Sequence, residues 1–275
     1  MNLLVKAKQQ GLEIVSVTPE SASWKYTGFS AYRLTQGQKF TMPAFPSKEC
    51  CLVILAGIIE IESGSMKWKE VGQRQSVFED IGPYALYLPP RHSATITAIQ
   101  NAEVAIATAP AQGNLKPRLI PPHSMRHSIR GKGSNTRYIC DILPQEEPAE
   151  SLLIVEVKTP SGHSSSYPPH KHDIDNPPSE SLLEEIYYHR IQPFQGFVFQ
   201  RIYTDSRDID VPLSVEDHDV VLVPRGYHPV VVPHGYESYY LNVMAGPKRT
   251  WHFHNDPSHE WMLNATFHGS KPNPA

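Results

Sequence analysis

Tyr167-Pro-Pro-His170-Lys-His172-Asp173, read together with Glu184-Glu185-Ile-Tyr-Tyr-His189-Arg190, is the stretch on which the reading of this chain turns. Strand side chains alternate between faces with period two, so histidines one residue apart point the same way. Their imidazoles can therefore share one metal ion. A carboxylate heading the next strand and a histidine on a returning strand complete a four-ligand set, and Glu185 and His228 are the candidates.

The rest of the sequence sets limits around that motif. A chain of 275 residues accommodates two modest domains or one large all-β unit. A formal charge of −3 gives no argument for nucleic-acid or anionic-membrane partners. Of the 14 histidines only His92 precedes residue 120, which points to chemistry in the C-terminal half. Cys50, Cys51 and Cys140 match neither a disulfide framework nor a zinc spacing, so reduced thiols in a cytoplasmic protein are expected. The N-terminus lacks the apolar core of a signal peptide, and no apolar run is long enough to span a bilayer.

Twenty-six prolines leave little room for long helices. Short runs rich in Val, Ile, Tyr and Phe lie between turn signals, among them Cys51-Leu-Val-Ile-Leu55, Gly57-Ile-Ile-Glu-Ile-Glu62, Gly196-Phe-Val-Phe-Gln-Arg201 and Tyr239-Tyr-Leu-Asn-Val243. That pattern predicts an all-β sandwich or barrel. The one helix-like piece is residues 179–185. Residues 121–150 read as a connector rich in Pro and Gly. Arg126, Arg130, Lys132 and Arg137 give it a basic cast, read as a solvated linker in preference to a phosphate or carboxylate clamp. The flanking halves echo one another. Glu49-Cys-Cys-Leu-Val precedes Leu86-Tyr-Leu-Pro-Pro-Arg-His92, as Glu185-Ile-Tyr-Tyr-His precedes Val221-Leu-Val-Pro-Arg-Gly-Tyr-His228. The echo predicts a duplicated small barrel, with domains at 1–120 and 151–275.

His-x-His on a strand, a Glu opening the next and a Pro-x-Gly turn delivering another His together resemble the cupin barrel. The first half carries Met42-Pro-Ala-Phe-Pro-Ser-Lys-Glu49 where the histidine pair would stand. The expectation is a bicupin, two tandem cupin-type barrels with a single metal site in the C-terminal one. Trp24-Lys-Tyr-Thr-Gly-Phe29, Gly72-Gln-Arg-Gln-Ser-Val-Phe-Glu79, Ala85-Leu-Tyr-Leu-Pro-Pro90, the His170 and Glu185 segments, Val223-Pro-Arg-Gly-Tyr-His-Pro229 and Arg249-Thr-Trp-His-Phe-His-Asn-Asp-Pro-Ser-His-Glu-Trp261 are similar to the 5-deoxy-glucuronate isomerases of bacterial myo-inositol catabolism. The resemblance runs from about residue 20 to 262. It implies conversion of 5-deoxy-glucuronate to 5-dehydro-2-deoxy-gluconate, with the 5-keto-4-deoxyuronate isomerases as a related alternative. Two features depart from the general cupin pattern. Residues 173–184 separate His172 from Glu185 and offer Glu180 and Glu184 as rival ligands, but Glu184 faces the other side of its strand. Only Tyr227 separates Gly226 from His228, which leaves His234 as a fallback.

An aldose–ketose isomerisation needs a polarised carbonyl and a group that moves a proton between neighbouring carbons. One divalent ion (Zn, Mn, Fe, Co or Ni) on His170, His172, Glu185 and His228 would serve the first need. Tyr187, His189 and Tyr240 are the candidates for the second. Arg190, Arg225 and Arg249 are candidates for the substrate's carboxylate, with Arg201 also available. His252, His254 and His259 read as a lid or subunit contact, and a homo-oligomer is compatible with exposed β edges. Two other classes stay open, a cupin dioxygenase and a bicupin that binds sugar or metal without turnover.

Overall fold

The computed structural model describes residues 2–263. Among them the single α-helix is Pro19–Ala22, closed by a reciprocal cap between Thr18 and Ser21. Strands make up nearly all remaining regular structure, and they assemble in two parallel plans. In the first half a six-stranded sheet runs Arg118–Ile120, Ala85–Leu88, Lys48–Ala56, Ala102–Pro110, Gly28–Leu34, Glu13–Val17. A four-stranded sheet of Lys39–Met42, Ala94–Ala98, Ile59–Ser63 and Met66–Val71 packs against it. In the second half a seven-stranded sheet runs Leu4–Val5, Val220–Val223, Glu184–Gln192, Glu237–Ala245, Leu153–Thr159, Arg137–Leu143, Arg126–Arg130. Its four-stranded companion is Ser164–Ser165, Val230–Val231, Phe197–Tyr203 and Asp210–Glu216. Every pairing is antiparallel between neighbours. The expected all-β, two-barrel architecture is present.

Period two explains the three apolar layers. On Lys48–Ala56, Cys50, Leu52 and Ile54 point into the first barrel, whereas Cys51, Val53 and Leu55 join a core shared by the two large sheets. On Glu184–Gln192, Tyr187 and Ile191 fill the second barrel, and Ile186 and Tyr188 face the shared core. Strands buried on both faces read as nearly continuous apolar runs, which is why alternation is faint in the sequence there. The shared core also holds charge. Arg74 grips Glu156 with two hydrogen bonds of 3.0 and 2.8 Å, and their side chains are only 2% and 5% exposed. Tyr239 donates to the same carboxylate at 2.9 Å, and the Arg74 Nε–H donates to the Leu55 carbonyl at 2.8 Å.

The hydrogen bonds also correct the internal alignment of the halves. Glu49 accepts the backbone N–H groups of Glu150, Ser151 and Leu152 at 2.7–2.8 Å. Glu184 accepts those of Lys25, Tyr26 and Thr27 at 2.8–2.9 Å. The counterpart of Glu49 is therefore Glu184, and Cys50 stands where the second half has Glu185. Cys50 lies 3.6 Å from the Met42 sulfur, so the first barrel fills this point with soft apolar groups.

Three further expectations change. Residues 121–150 are no connector, because Arg126–Arg130 and Arg137–Leu143 form a hairpin that extends the second sheet. Leu4–Val5 pairs with Val220–Val223 of the second sheet, although it precedes the first barrel in the chain. Residues 179–185 are extended. Glu180–Leu182 pairs back on Asp173–Asn176 across a turn holding Pro177 and Pro178, so the segment is committed to a short hairpin.

The buried pair generates a test. Arg74→Met strands Glu156 in the shared core and is expected to cost about 3–5 kcal/mol in urea unfolding. Arg74→Met combined with Glu156→Gln is expected to recover a large part of that loss.

Candidate functional site

The Glu184–Gln192 strand sends Glu185 into the second barrel, toward histidines from two other segments. His172 follows the short His170–Lys171 strand, and His228 follows a turn at Gly226. Gly226 has φ +96°, and a Cβ there would stand 2.6 Å from the Tyr203 carbonyl oxygen, so this turn needs glycine. His172 Nε2 lies 2.9 Å and His228 Nε2 3.0 Å from the same Glu185 oxygen, and all three side chains are buried. The other carboxylate oxygen accepts a hydrogen bond from the Asn242 side-chain amide. Among the described residues, this is the group whose ligand atoms converge within 4.8 Å.

The outer nitrogens decide what that convergence means. His172 Nδ1 is 3.1 Å from the Leu183 carbonyl and His228 Nδ1 is 2.8 Å from the Gly226 carbonyl. A carbonyl accepts only, so each Nδ1 carries the proton and neutral rings turn Nε2 lone pairs inward. Two lone pairs then face a carboxylate oxygen. Such a cluster needs a cation or an added proton at its centre, and backbone carbonyls fixing the ring tautomer are a common support for metal-binding histidines. The residues present fit a divalent metal. Burial pushes the Glu185 pKa up; charge on His228 and His172 outweighs that effect and holds it at about 2 when the rings are protonated, and with neutral rings a bound cation would have to take that part.

His170 stands at the edge of this group, its ring 4.8 Å from that of His228 and 6.5 Å from that of His172. The rivals are engaged elsewhere. Glu184 holds the first half, and Glu180 accepts from Lys171 at 3.0 Å on both oxygens. His234 is exposed. The segment bearing His252, His254 and His259 pairs with His170–Lys171 and lays Phe253 against the His170 ring at 4.7 Å. It covers the site without forming a second ligand cluster among the described residues.

A small cleft of about 40 Å³ opens beside the cluster, bounded by His170, Glu185, Tyr187, Tyr240 and Trp251. Tyr187 and Tyr240 are packed at 4.7 Å between ring centroids, and the Tyr187 hydroxyl is 3.2 Å from the Ser166 hydroxyl. Burial raises the pKa of both phenols, so they hold their protons at neutral pH. His189 lies behind them rather than on the cleft. It stacks on Tyr187 at 5.9 Å, and its Nε2 donates to the Gln200 amide oxygen at 3.0 Å.

None of the three arginines expected to meet a carboxylate reaches this cleft. Arg225 pairs with Asp208 on the surface. Arg249 donates to the Leu152 and Gln145 carbonyls at 2.7 and 2.9 Å, and Arg190 is held between Glu103 and Asp217. Arg130 and Arg137 line the cleft instead. Their signal in the sequence is the glycine-containing turn Gly131-Lys-Gly-Ser-Asn135, which joins the two strands of a hairpin rather than forming a solvated linker.

Known proteins resemble this chain along nearly its whole length. The KduI/IolB family model matches residues 3–262. A Geobacillus kaustophilus protein named 5-deoxy-glucuronate isomerase is 51% identical over 252 residues, covering 92% of this chain and 91% of its own. Its Bacillus subtilis namesake is 46% identical over 255 residues, covering 92% and 94%. The crystal structure of an IolB-like protein from Salmonella typhimurium superposes with a TM-score of 0.94 at 44% identity, covering 96% of this chain and all of that one. Lactobacillus farciminis oxalate decarboxylase superposes with a TM-score of 0.66 at 11% identity, covering 97% and 91%, and shares the cupin-type fold alone.

His189 supplies a pH test. Burial lowers its pKa to about 4, below the 6.5 of an exposed ring. The unfolded chain therefore takes up a proton between pH 6.5 and 4 that the folded chain does not. Stability present above pH 6.5 is lost as pH falls through that window, by on the order of 3 kcal/mol. Subtracting the stability–pH curve of His189→Gln from that of the parent protein isolates this contribution, and the difference should change across pH 4–6.5 and be flat above it.

Proposed function

The chain belongs to the KduI/IolB family, and we infer from that membership that it is an aldose–ketose isomerase converting 5-deoxy-glucuronate to 5-dehydro-2-deoxy-gluconate in inositol catabolism. The observation that carries the reading is about 50% identity, along 92% of the chain, to proteins named for this activity. The cleft supports it. It is small and half-open, and Ser166, Tyr187, Tyr240 and His170 line it together with Ile139, Val155 and Val157. A cytoplasmic location accompanies this reading.

His172, Glu185 and His228, with His170 as the fourth ligand, would hold one divalent ion of the Zn, Mn, Fe, Co or Ni group. When bound, such an ion supplies Lewis-acid polarisation of the sugar's carbonyl and adjacent hydroxyl. The protein's own groups do the rest. Asn242 restrains Glu185, and the Leu183 and Gly226 carbonyls keep the two imidazoles facing inward. Tyr187 and Tyr240 retain their protons and are placed to donate hydrogen bonds to substrate oxygens that gain negative charge during the reaction. His189 supports Tyr187 from behind and takes no direct part.

Two experiments test this reading. Metal-replete protein incubated anaerobically with 5-deoxy-glucuronate in heavy water is expected to yield the ketose by proton NMR, with deuterium at C1 if the transferred proton exchanges. Unchanged sugar would reject the isomerase, and turnover requiring oxygen would favour a dioxygenase. His172→Ala is expected to retain less than about a tenth of the bound metal and of kcat, with an unchanged far-UV spectrum, because a buried ligand is lost while the scaffold stays intact. Full activity with a full metal complement would remove His172 from the site.

A further inference from the structure

Arg130 and Arg137 are direct partners across the hairpin of Arg126–Arg130 and Arg137–Leu143, and both line the cleft that reaches His170 and Glu185. Like charges opposed on neighbouring strands repel. Their neighbour Arg126 resolves the problem locally, with Asp141 at 2.7 Å. Among the described residues no carboxylate forms an ion pair with Arg130 or Arg137. Arg137 spends Nη1 on the Asn135 carbonyl and side-chain oxygens, both at 3.0 Å, which leaves Nη2 and Nε available. Arg130 lies over the Trp251 ring at 5.7 Å. Burial, and the proximity of Arg130, lower the pKa of Arg137. Two partly desolvated cations side by side without an anion cost free energy that an entering anion relieves.

We propose that Arg137, assisted by Arg130, is the carboxylate anchor of this cleft. It takes the acid end of an open-chain sugar acid and leaves the carbonyl end against His172, Glu185 and His228. The orientation rests on the isomerase reading above; the anion site stands on the hairpin geometry alone. The free Nη2–H and Nε–H groups form the planar fork that a carboxylate accepts in bidentate fashion. Asn135 holds the far side of the guanidinium, and the Trp251 face holds Arg130 beside it.

Arg137→Met is expected to lower kcat/KM for 5-deoxy-glucuronate by about 30- to 100-fold, mainly through KM, as loss of a charged hydrogen-bond pair does. The neutral counterpart 5-deoxy-glucose, with a hydroxymethyl group in place of the carboxylate, separates anchoring from folding. Its kcat/KM, and the bound metal, should change by less than about threefold. Arg137→Lys should restore part of the preference for the acid, because it keeps the charge and loses the fork. An unchanged KM for the acid, or equal losses on acid and neutral sugar, would overturn the anchor. Calorimetric titration with gluconate against sorbitol keeps the test independent of turnover. If the parent protein fails to isomerise the uronate but binds gluconate, and Arg137→Met does not, the isomerase reading falls and the anchor stands. No preference for gluconate over sorbitol in the parent protein would remove the anchor whatever the reaction.

Discussion

The alternation of one strand governs the second half of this molecule. Along Glu184–Gln192, the even-numbered residues from Glu184 to Arg190 turn toward the first half: a carboxylate collecting three backbone N–H groups, an isoleucine, a tyrosine bonded to Glu103, and an arginine bonded to the same Glu103. The odd-numbered residues turn inward, where Glu185 meets the histidines, Tyr187 lines the cleft and His189 supports it. A slip of one residue would exchange the two sets and bury the wrong carboxylate in the wrong core. The neighbouring strands Val220–Val223 and Glu237–Ala245 hold the register from both sides.

That register makes an expensive arrangement affordable. An ionised carboxylate in an apolar barrel is stable only where opposite charge or directed hydrogen bonds replace water. The Asn242 amide supplies one such hydrogen bond to Glu185. The carbonyls behind the two imidazoles turn these rings into acceptors toward its other oxygen, so that point calls for a cation or a proton between them. In the first barrel the corresponding point holds Cys50 beside Met42, groups that need no such compensation. The two barrels thus share a scaffold and differ in what they ask of it.

Much of this was legible in the sequence. His172, Glu185 and His228 could be named because each lies beside an unmistakable local signal: a His-x-His on a strand, the head of an apolar run, a Pro-x-Gly turn. Glu184 could be set aside because Glu185 directly heads the apolar run Ile186-Tyr-Tyr and period two turns Glu184 the other way. The hairpin of residues 126–143 escaped because its first strand, Arg126–Arg130, is polar and largely exposed, so neither composition nor alternation marks it as the partner of the buried Arg137–Leu143 strand. The arginines were misassigned for a related reason. Arg190, Arg225 and Arg249 lie next to site residues in sequence, but acids and carbonyls brought from distant segments claim them. Proximity along a chain predicts a strand's face well and a long side chain's partner poorly.

The edges of the two large sheets have one more consequence. Leu4–Val5 precedes the first barrel in the chain yet borders the sheet of the second, against Val220–Val223. A gene cut between the repeats would take that edge from the second barrel and leave the first carrying a strand with nothing to join. The barrel without ligands cannot be shed by simple truncation, and its persistence needs no chemistry of its own to explain it.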